Sequence, residues 1–520
     1  SCDMLTCVAN PVMLRTYVDW AMLQRHVVCL AAWTATYASR RNVVRTGVMS
    51  SREAHTLLLV HDTKQIHAGI GISEPLLRPD VTVEACVGRR EANGPYIVGE
   101  ALVQAVTQGE AVEIIYPITD GDVNNWDALE ALWYYVLHDK LGVRVGNNAY
   151  YIMLALPSPV SRDVYEQGAK ILFEKFNSPA ITISEVPLLS AYALGVLTAL
   201  VVDVGAEDSS AVAVSDCAVV PSGVVISKIG IVHCTWWLAY LLTQDARVMQ
   251  ALEQVAPGQT HAAAWSLAQQ MADDHVVCVD TDITQTDDED EGVLDVAAAL
   301  VEGRERDVVK ERERQKEAEA KSAASNTSGA VVVSFRGVEV PVGSVHKRFH
   351  EPLFRPAVLE RVSLDIPTPR AVAQALQARR IGGEPMCLSI PDAVARATAN
   401  VHPMERRLPL WENLILTGPM ALTRGLIAEL TRALSAYTTT ESSEASQVVG
   451  DPQPWKPHHV RALRIPDYFA NYKERMDLAP YLGATIFAKL VFGDLSGRNY
   501  ITKRQYNEGG PSVAFALGSL

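Results

Sequence analysis

The chain has 520 residues, of which 48% are hydrophobic and 20% charged, so it is long enough to bury several hydrophobic cores. Lysine and arginine total 46 against 60 aspartate and glutamate residues, and the formal net charge is −14. This charge disfavours a general binder of nucleic-acid backbones, because such proteins act through clustered cations. The apolar runs 27–33 and 236–242 are far shorter than the roughly 20 residues that a membrane helix needs, so no membrane span is predicted.

Cysteines are scattered along the chain without a CxxC pair. Neither a disulfide framework nor a zinc site is therefore predicted, and a reducing compartment fits best. The first fifty residues carry five arginines and two acids. We predict that residues 1–54 form a poorly ordered extension, and a transit-type leader is the alternative.

The patterned part of the chain opens with two strands, at 56–61 and 65–72, and a glycine-punctuated turn accompanies them. In 125–141, apolar residues recur at three- and four-residue steps, which predicts a helix with one buried face. The alternation of strand and helix that begins here is typical of a mixed α/β protein.

A further strand, helix and strand follow. Residues 150–156 and 180–183 read as strands, and 161–175 as a helix. Ser161 suits the N-cap position of that helix, and Asp163 lies in its first turn.

The same order of strands restarts after residue 198. Strands are predicted at 199–203, 210–214 and 224–228, and they resemble the opening hairpin. Two structurally related lobes would explain this restart, and chance similarity is the alternative.

The composition changes sharply between 280 and 329. An acidic cluster at 287–291 precedes alternating charges at 304–321 and a small, polar stretch at 322–329. We predict a charged insertion that ends in a flexible linker, with ion pairs at helical spacing that support a solvated helix. A solvated or disordered loop is favoured over a binding segment.

Several short motifs follow one another between residue 56 and the end of the chain. They are Tyr116-Pro117-Ile118 with Asn125-Trp126-Asp127, Phe173-Glu174 with Phe176-Asn177, Tyr192-Ala193-Leu194-Gly195, Arg348-Phe349, and a C-terminal group of Gly483, Ile501, Lys503, Tyr506 and Glu508. In this order and spacing, the motifs resemble the actin-related protein family. The resemblance implies an α/β, actin-like (ribonuclease H-like) fold, with two related lobes around a cleft and a charged insertion.

The resemblance also divides the chain. Residues 1–54 form the extension and 55–198 the first lobe, and 280–329 is the charged insertion. The second lobe comprises 199–279 and 330–465, and a C-terminal segment, 466–520, returns to the first lobe.

Actins bind ATP and a divalent cation between their lobes, and the resemblance implies where those groups would lie here. In the first hairpin, the cation-binding carboxylate falls on Val60, the serine on Thr63 and a turn glycine on Lys64. Glycine suits such a turn because backbone amides approach phosphates closely only where no Cβ intrudes. We therefore expect the phosphate cradle to be damaged.

The second hairpin keeps Asp203 and Gly205, while Val204, Ala206 and Glu207 replace a serine, a carboxylate and a glycine. Losing carboxylates at Val60 and Ala206 removes most of the electrostatic support for a divalent cation.

Three further positions depart from the family. The glutamine that orients the attacking water in actin falls on Val186, and the Lys-Glu pair that holds the nucleoside falls on Met271 and Ala272. In the third loop Gly418 survives beside Pro419. The sequence thus predicts a degenerate cleft comprising Thr63, Lys64, Asp203, Gly205 and Gly418, with no metal site, no catalytic residue and no bound cofactor. Residual ATP binding through Lys64, with Glu207 as a substitute metal ligand, stays open.

Within the family, the degenerate cleft, the insertion and the stretch Leu478-Ala479-Pro480-Tyr481-Leu482-Gly483 look most like fungal actin-related protein 9. That resemblance implies a non-catalytic nuclear scaffold of SWI/SNF- and RSC-type chromatin remodellers, which contacts chromatin indirectly. Its implied partners are an actin-related protein of type 7 and the helicase-SANT-associated helix of the remodeller ATPase.

The partner-helix groove of actins falls on six positions: Tyr192, Ala193, Gly195, Ile486, Phe487 and Leu490. A small floor with apolar walls suits the face of an amphipathic helix. The alternative interpretation is that the last three positions pack the core of their own helix.

Two other functions stay open from the sequence. One is an active ATPase of the actin and sugar-kinase superfamily, working by lobe closure. The other is a cytoplasmic actin-related subunit of dynactin. The replacements at Val60, Ala206 and Val186 disfavour the first, and the insertion and C-terminal match disfavour the second.

Overall fold

The computed structural model describes residues 51–279, 331–437 and 459–518, apart from gaps at 63, 73–77, 92–93, 109, 120–121, 363–365, 367, 382–386 and 494–498. Most of the predicted extension and the whole insertion at 280–329 therefore lie outside the described residues. No helix among the described residues has the length and apolar character needed to cross a bilayer.

The strands in these ranges are β1 (Thr56–His61), β2 (Gln65–Ile70), β3 (Val81–Glu84), β4 (Val87–Arg89), β5 (Tyr96–Val98), β6 (Glu113–Ile115), β7 (Ile118–Thr119), β8 (Asp122–Val123), β9 (Tyr151–Leu156), β10 (Ala180–Glu185), β11 (Ala199–Val204), β12 (Ser209–Ser215), β13 (Ala218–Ser227), β14 (Val331–Phe335), β15 (Val338–Gly343), β16 (Leu414–Thr417) and β17 (Ile501–Thr502).

The α-helices are α1 (Ser51–Ala54), α2 (Glu100–Thr107), α3 (Trp126–Tyr134), α4 (Arg162–Lys170), α5 (Val186–Ala193), α6 (Ile231–Thr243), α7 (Ala246–Val255), α8 (Thr260–Asp273), α9 (Glu351–Phe354), α10 (Arg370–Ile381), α11 (Ile390–Ala399), α12 (Leu408–Glu412), α13 (Leu426–Leu434), α14 (Ala479–Gly493), α15 (Lys503–Gly509) and α16 (Val513–Gly518). Two π-helical stretches, Tyr135–Lys140 and Ile171–Lys175, continue α3 and α4. Short 3₁₀ turns occur at Val145–Asn147, Val345–Arg348, Pro356–Arg361, Met404–Arg406, Pro419–Leu422, Ser435–Tyr437, Ala470–Tyr472 and Met476–Leu478.

The first lobe is built on a six-stranded sheet in the order β17-β10-β9-β1-β2-β3. Strand β1 is buried throughout, because both of its faces are covered. Leu57 and Leu59 face a core that includes α3, while Leu58 and Val60 face a second core that includes α5 and α14. The period of two along the strand thus divides β1 between two cores.

The second lobe repeats this arrangement. Strand β11 pairs antiparallel with β12 and parallel with β16, just as β1 pairs antiparallel with β2 and parallel with β9. Val201 of β11 shares its core with Val60 of β1, while Val202 faces the separate core of the second lobe. The predicted α/β class with two related lobes is confirmed.

The end of the chain packs on the first lobe. Helix α14 lies against α5, β17 pairs with β10, and α16 contacts α4. The core that contains Leu58 and Val60, called the central core below, therefore joins β1 of the first lobe and β11 of the second lobe to helices α5 and α14. Helix α14 packs against β1 at this junction between the lobes.

Local signals placed most elements well. Asn125 caps α3, with its Oδ1 accepting from the Ala128 amide at 3.0 Å, and Ser161 caps α4 in the same way. Three boundaries were wrong by two residues or more, one of them the end of β10, which lies at Glu185 rather than 183. Strand β2 ends at Ile70 rather than 72, because Gly71 takes a left-handed φ of 89° and its amide donates a hydrogen bond to the carbonyl oxygen of Thr56. Strand β13 begins six residues earlier than predicted, since its pairing with β12 continues past an irregularity in register.

Candidate functional site

A cavity of about 460 Å³ lies between the two lobes. The turn after β1 and strand β2 form one side, and the end of α8 and the loop after β16 form the other. Its charged and ionisable lining residues are Asp62, Lys64, His67, Glu84, Asp273, His275, Arg475 and Asp477. Of the predicted cleft residues, Lys64 lines this cavity, whereas Asp203, Gly205 and Gly418 are not among its lining residues.

Lys64 spans the cleft. Its Nζ donates to Oδ1 of Asp273 at 3.0 Å, which joins the β1–β2 turn of the first lobe to the end of α8 in the second. The Lys64 side chain is 23% exposed and that of Asp273 is 64% exposed. The ammonium group is thus neutralised by a carboxylate of the protein.

Arg475 is paired as well. Its guanidinium donates to both carboxylate oxygens of Asp477, with the shortest distance at 2.7 Å, and Asp477 is buried. His67 lies nearby and contacts Thr82 Oγ1 at 3.0 Å, and burial lowers its pKa to about 4. The histidine is therefore neutral at physiological pH, and both lysine and arginine cations in the described lining are already paired.

Asp203, at the end of β11, lies deep in the interlobe region. Its Oδ1 is buried and has no hydrogen-bond partner among the described residues. Gly418 follows β16 directly beside it, with a left-handed φ of 78°. A Cβ at Gly418 would collide with Asp203 Oδ1 and lie 3.2 Å from the Val204 carbonyl oxygen, so only glycine fits there.

A second carboxyl group, that of Asp62, hydrogen-bonds with Asp203. Burial, followed by the neighbouring charges of Asp62 and Asp208, holds the pKa of Asp203 well above its usual range. Two carboxyl groups can hydrogen-bond only when one of them carries a proton. Below that raised pKa, the pair therefore shares a proton in place of two full negative charges.

Counting along the sequence missed Asp62, because it assigned the family's carboxylate to Val60 and gave Asp62 no role. The two-residue period of a β-strand could have identified Asp62. Residues two apart lie on the same side of a strand, so Asp62 follows Val60 at the end of β1.

Two other acids lie near the pair. Burial raises the pKa of Asp208 to about 6, and burial together with Asp208 raises the pKa of Glu207. Gly205, which the sequence placed in the cleft, uses its carbonyl oxygen to accept from the Ile231 amide at 3.0 Å. The Gly205 carbonyl oxygen thus satisfies the first backbone amide of α6.

The remaining family positions carry apolar side chains. Val60, Val186 and Met271 are buried in the protein cores, while Ala272 and Pro419 line the cavity. Thr63 lies outside the described residues.

A magnesium–triphosphate group does not fit these residues. Magnesium requires oxygen donors in a near-octahedral arrangement, whereas Val60 and Ala206 offer no side-chain oxygen. Phosphates require available cations or open glycine amides, and Lys64 supplies neither. Within the described ranges, no three histidine, cysteine or acidic side chains are arranged to hold a metal ion.

The second predicted site lies between α5 and α14. Gly483 brings the two helices into backbone contact, because a Cβ there would lie 2.5 Å from the carbonyl carbon of Leu189. One turn further along α14, the ring of Phe487 stacks on that of Tyr192, with centroids 5.8 Å apart and planes 11° apart.

The six predicted groove residues differ in burial. Ala193 is buried and Gly195 is exposed with a left-handed φ of 72°. The other four, Tyr192, Ile486, Phe487 and Leu490, are half-buried.

Their inward parts serve the core, since Tyr192, Ile486 and Phe487 pack against the central cluster. Burial, followed by a contact with the Cys217 thiol, raises the pKa of Tyr192. The packing of Ile486 and Phe487 agrees with the interpretation that they serve the core of their own helix. The partner-helix groove stays a prediction.

Comparison with known protein families matches residues 77–515 to actin. The chain belongs to the actin family. The SWI/SNF and RSC complexes subunit arp9 of Schizosaccharomyces pombe is 25% identical over 440 residues, which cover 77% of this chain and 78% of that protein.

Two shorter similarities lie within the actin family. Centractin of Saccharomyces cerevisiae is 34% identical over 138 residues, 26% of this chain and 35% of that protein. Actin-related protein 7 of Oryza sativa subsp. indica is 37% identical over 93 residues, 18% of this chain and 26% of that protein.

Proposed function

We propose that this actin-family chain is a non-catalytic scaffold subunit of a nuclear chromatin-remodelling complex of the SWI/SNF or RSC type. The observation that carries the proposal is a contrast between its two sites. In the cleft, Lys64 and Arg475 are paired with carboxylates of the protein, whereas the α5–α14 groove keeps a partly exposed aromatic wall. The similarity to the arp9 subunit, which spans most of both chains, supports the same function.

The proposal extends to partners. The α5–α14 groove receives the helicase-SANT-associated helix of the remodeller ATPase, and the chain pairs with an actin-related protein of type 7. An amphipathic helix presents apolar side chains at i, i+3, i+4 and i+7, which match a groove with a small floor and apolar walls. Ala193 supplies that floor, and Phe487 and Leu490 supply wall area. Chromatin is then contacted through the partners.

Calorimetric titration of the full chain with a peptide of the helicase-SANT-associated helix tests the groove. Replacing Phe487 or Leu490 by alanine removes a half-buried anchor, and we expect each variant to bind roughly thirtyfold more weakly, the effect of losing about 2 kcal/mol. Val332→Ala is the control, because Val332 is an exposed apolar residue on β14, away from the groove. Equal affinities for all four proteins would remove the groove from the proposal.

Phosphate release tests the non-catalytic part. The purified chain is expected to release phosphate from MgATP no faster than Asp203→Asn does. Turnover by the wild-type chain that Asp203→Asn abolishes would establish an active ATPase and overturn the scaffold proposal.

A further inference from the structure

A groove of about 720 Å³ crosses the first lobe, on a surface separate from both sites above. One wall is formed by β5 and the start of α2, and the other by the outer face of α3 and its π-helical continuation. On α3, Asp127, Glu130, Ala131 and Tyr134 line the groove at the spacing i, i+3, i+4 and i+7. These four residues therefore form one continuous helical stripe.

The two walls are tied together. The Tyr96 hydroxyl on β5 accepts from Asn125 Nδ2 at 3.2 Å, and Lys140 pairs with Glu100 at 2.5 Å. The contacts lie near opposite ends of the helical wall, so the groove is already formed without a ligand. A preformed groove costs less ordering entropy when a partner binds.

The groove is acidic. Asp127, Glu130 and Asp139 line it against a single cation, Lys175, which pairs with Glu130 at 3.4 Å. Among the described residues, Asp127 and Asp139 have no ion-pair partner, and both are exposed. The groove therefore keeps two uncompensated negative charges.

An aromatic ring lies between these charges. Tyr134 is 45% exposed, and its ring lies beside the ring of His138, with the centroids 4.9 Å apart and the planes tilted by 42°. Exposed tyrosine rings flanked by carboxylates suit the guanidinium group, which stacks on an aromatic face while it donates hydrogen bonds to acids.

We propose that this groove is a docking site for an arginine-rich segment of a partner protein. Asp127 and Asp139 are twelve positions apart in the sequence, roughly 18 Å along a helix axis. An extended segment rises about 3.3 Å per residue. Two of its arginines therefore reach both carboxylates when the arginines are five or six positions apart. Nucleic acid is disfavoured as the occupant, because its phosphates would face these carboxylates.

Fluorescence anisotropy with the full chain and a labelled poly-arginine peptide tests the proposal. Poly-lysine of equal length, poly-glutamate and a single-stranded oligonucleotide serve as comparison probes. The double variant Asp127→Asn/Asp139→Asn removes the two uncompensated charges. Its matched control is Glu339→Gln/Glu405→Gln, which removes two exposed carboxylates elsewhere and changes the net charge equally.

We expect the wild-type chain to bind poly-arginine more tightly than poly-lysine and not to bind poly-glutamate. The groove variant is expected to bind poly-arginine about tenfold more weakly, while the control changes affinity by less than about twofold. Tyr134→Ala is expected to reduce the preference for arginine over lysine, since only the planar guanidinium stacks on the ring.

Three results would overturn the proposal. The first is an equal loss of affinity in the groove variant and its control, which would show diffuse attraction to an acidic protein. The second is tighter binding of the oligonucleotide than of poly-arginine. The third is self-association of the wild-type chain in sedimentation that the groove variant abolishes, because the occupant would then be a second copy of the chain. Thermal melting of all variants checks that they are folded.

Discussion

Gly483→Ala perturbs the floor of the α5–α14 groove directly, because it adds one methyl group at the contact between the two helices. That methyl carbon would lie 2.5 Å from the carbonyl carbon of Leu189 and 3.0 Å from its Cα, and would also meet the carbonyl oxygen. Carbon atoms pack best at about 3.5–4.0 Å. The helices must therefore separate by about 1 Å.

Two effects set the net change in stability. Alanine favours a helix over glycine by about 1 kcal/mol. Overpacking costs about 1–3 kcal/mol, and the upper end applies because the obstacle is backbone rather than the movable tip of a side chain. We therefore expect Gly483→Ala to lower the free energy of unfolding by about 2 kcal/mol. It should also weaken helix binding, because Phe487 lies one turn away on the same face of α14.

Urea denaturation of the full chain measures the first effect, and calorimetric titration with the ATPase helix measures the second. Gly493→Ala is the control, since Gly493 ends the same helix and a Cβ there meets nothing within 4 Å. That variant should be as stable as the wild type or slightly more so. Equal stability of the two variants would refute the close contact between α5 and α14.

Three further predictions concern the cleft. Because the folded pKa of Asp203 is raised, its contribution to stability is present at low pH and is lost as the pH rises through that folded pKa. Asp203→Asn should thus unfold at higher urea than the wild type at alkaline pH, with the gain vanishing towards pH 3.8, and a pH-independent difference would contradict the proton-sharing pair. Lys64→Ala should cost only about 0.2–1 kcal/mol in the same assay, since its partner Asp273 is mostly exposed, and a loss above about 2 kcal/mol would mean that the ion pair holds the lobes together. Gly418→Ala should cost about 1–3 kcal/mol through its left-handed φ and its collision with Asp203, and unchanged stability would argue against that geometry.

Much of the fold was predictable because its signals are local. The strand pattern of β1, the apolar spacing of α3 and the cap at Ser161 each depend on residues close in sequence, and each element begins where the sequence placed it or within one residue. The π-helical continuation of α3 was not predictable in the same way. Apolar periodicity over 125–141 indicates a helix, but it does not distinguish 3.6 residues per turn from a wider turn over the last six residues.

The cleft was harder to predict, because its chemistry depends on side chains that are far apart in the sequence. Lys64 and Asp273 are 209 positions apart in the sequence, and no local sequence pattern predicts their ion pair. The Asp62–Asp203 pair was not predicted from the sequence for a related reason. Alignment by counting assigns a role to a backbone position, whereas a carboxylate two residues further along the same strand face reaches the same space.

The most direct test of the scaffold account is the affinity of the full chain for the helicase-SANT-associated helix, measured by calorimetry with and without MgATP. The account predicts the same dissociation constant in both conditions, within about twofold, because the cleft residues do not fit a magnesium–triphosphate group. A tenfold change with MgATP would contradict it, since coupling of about 1.4 kcal/mol requires that the nucleotide bind this chain.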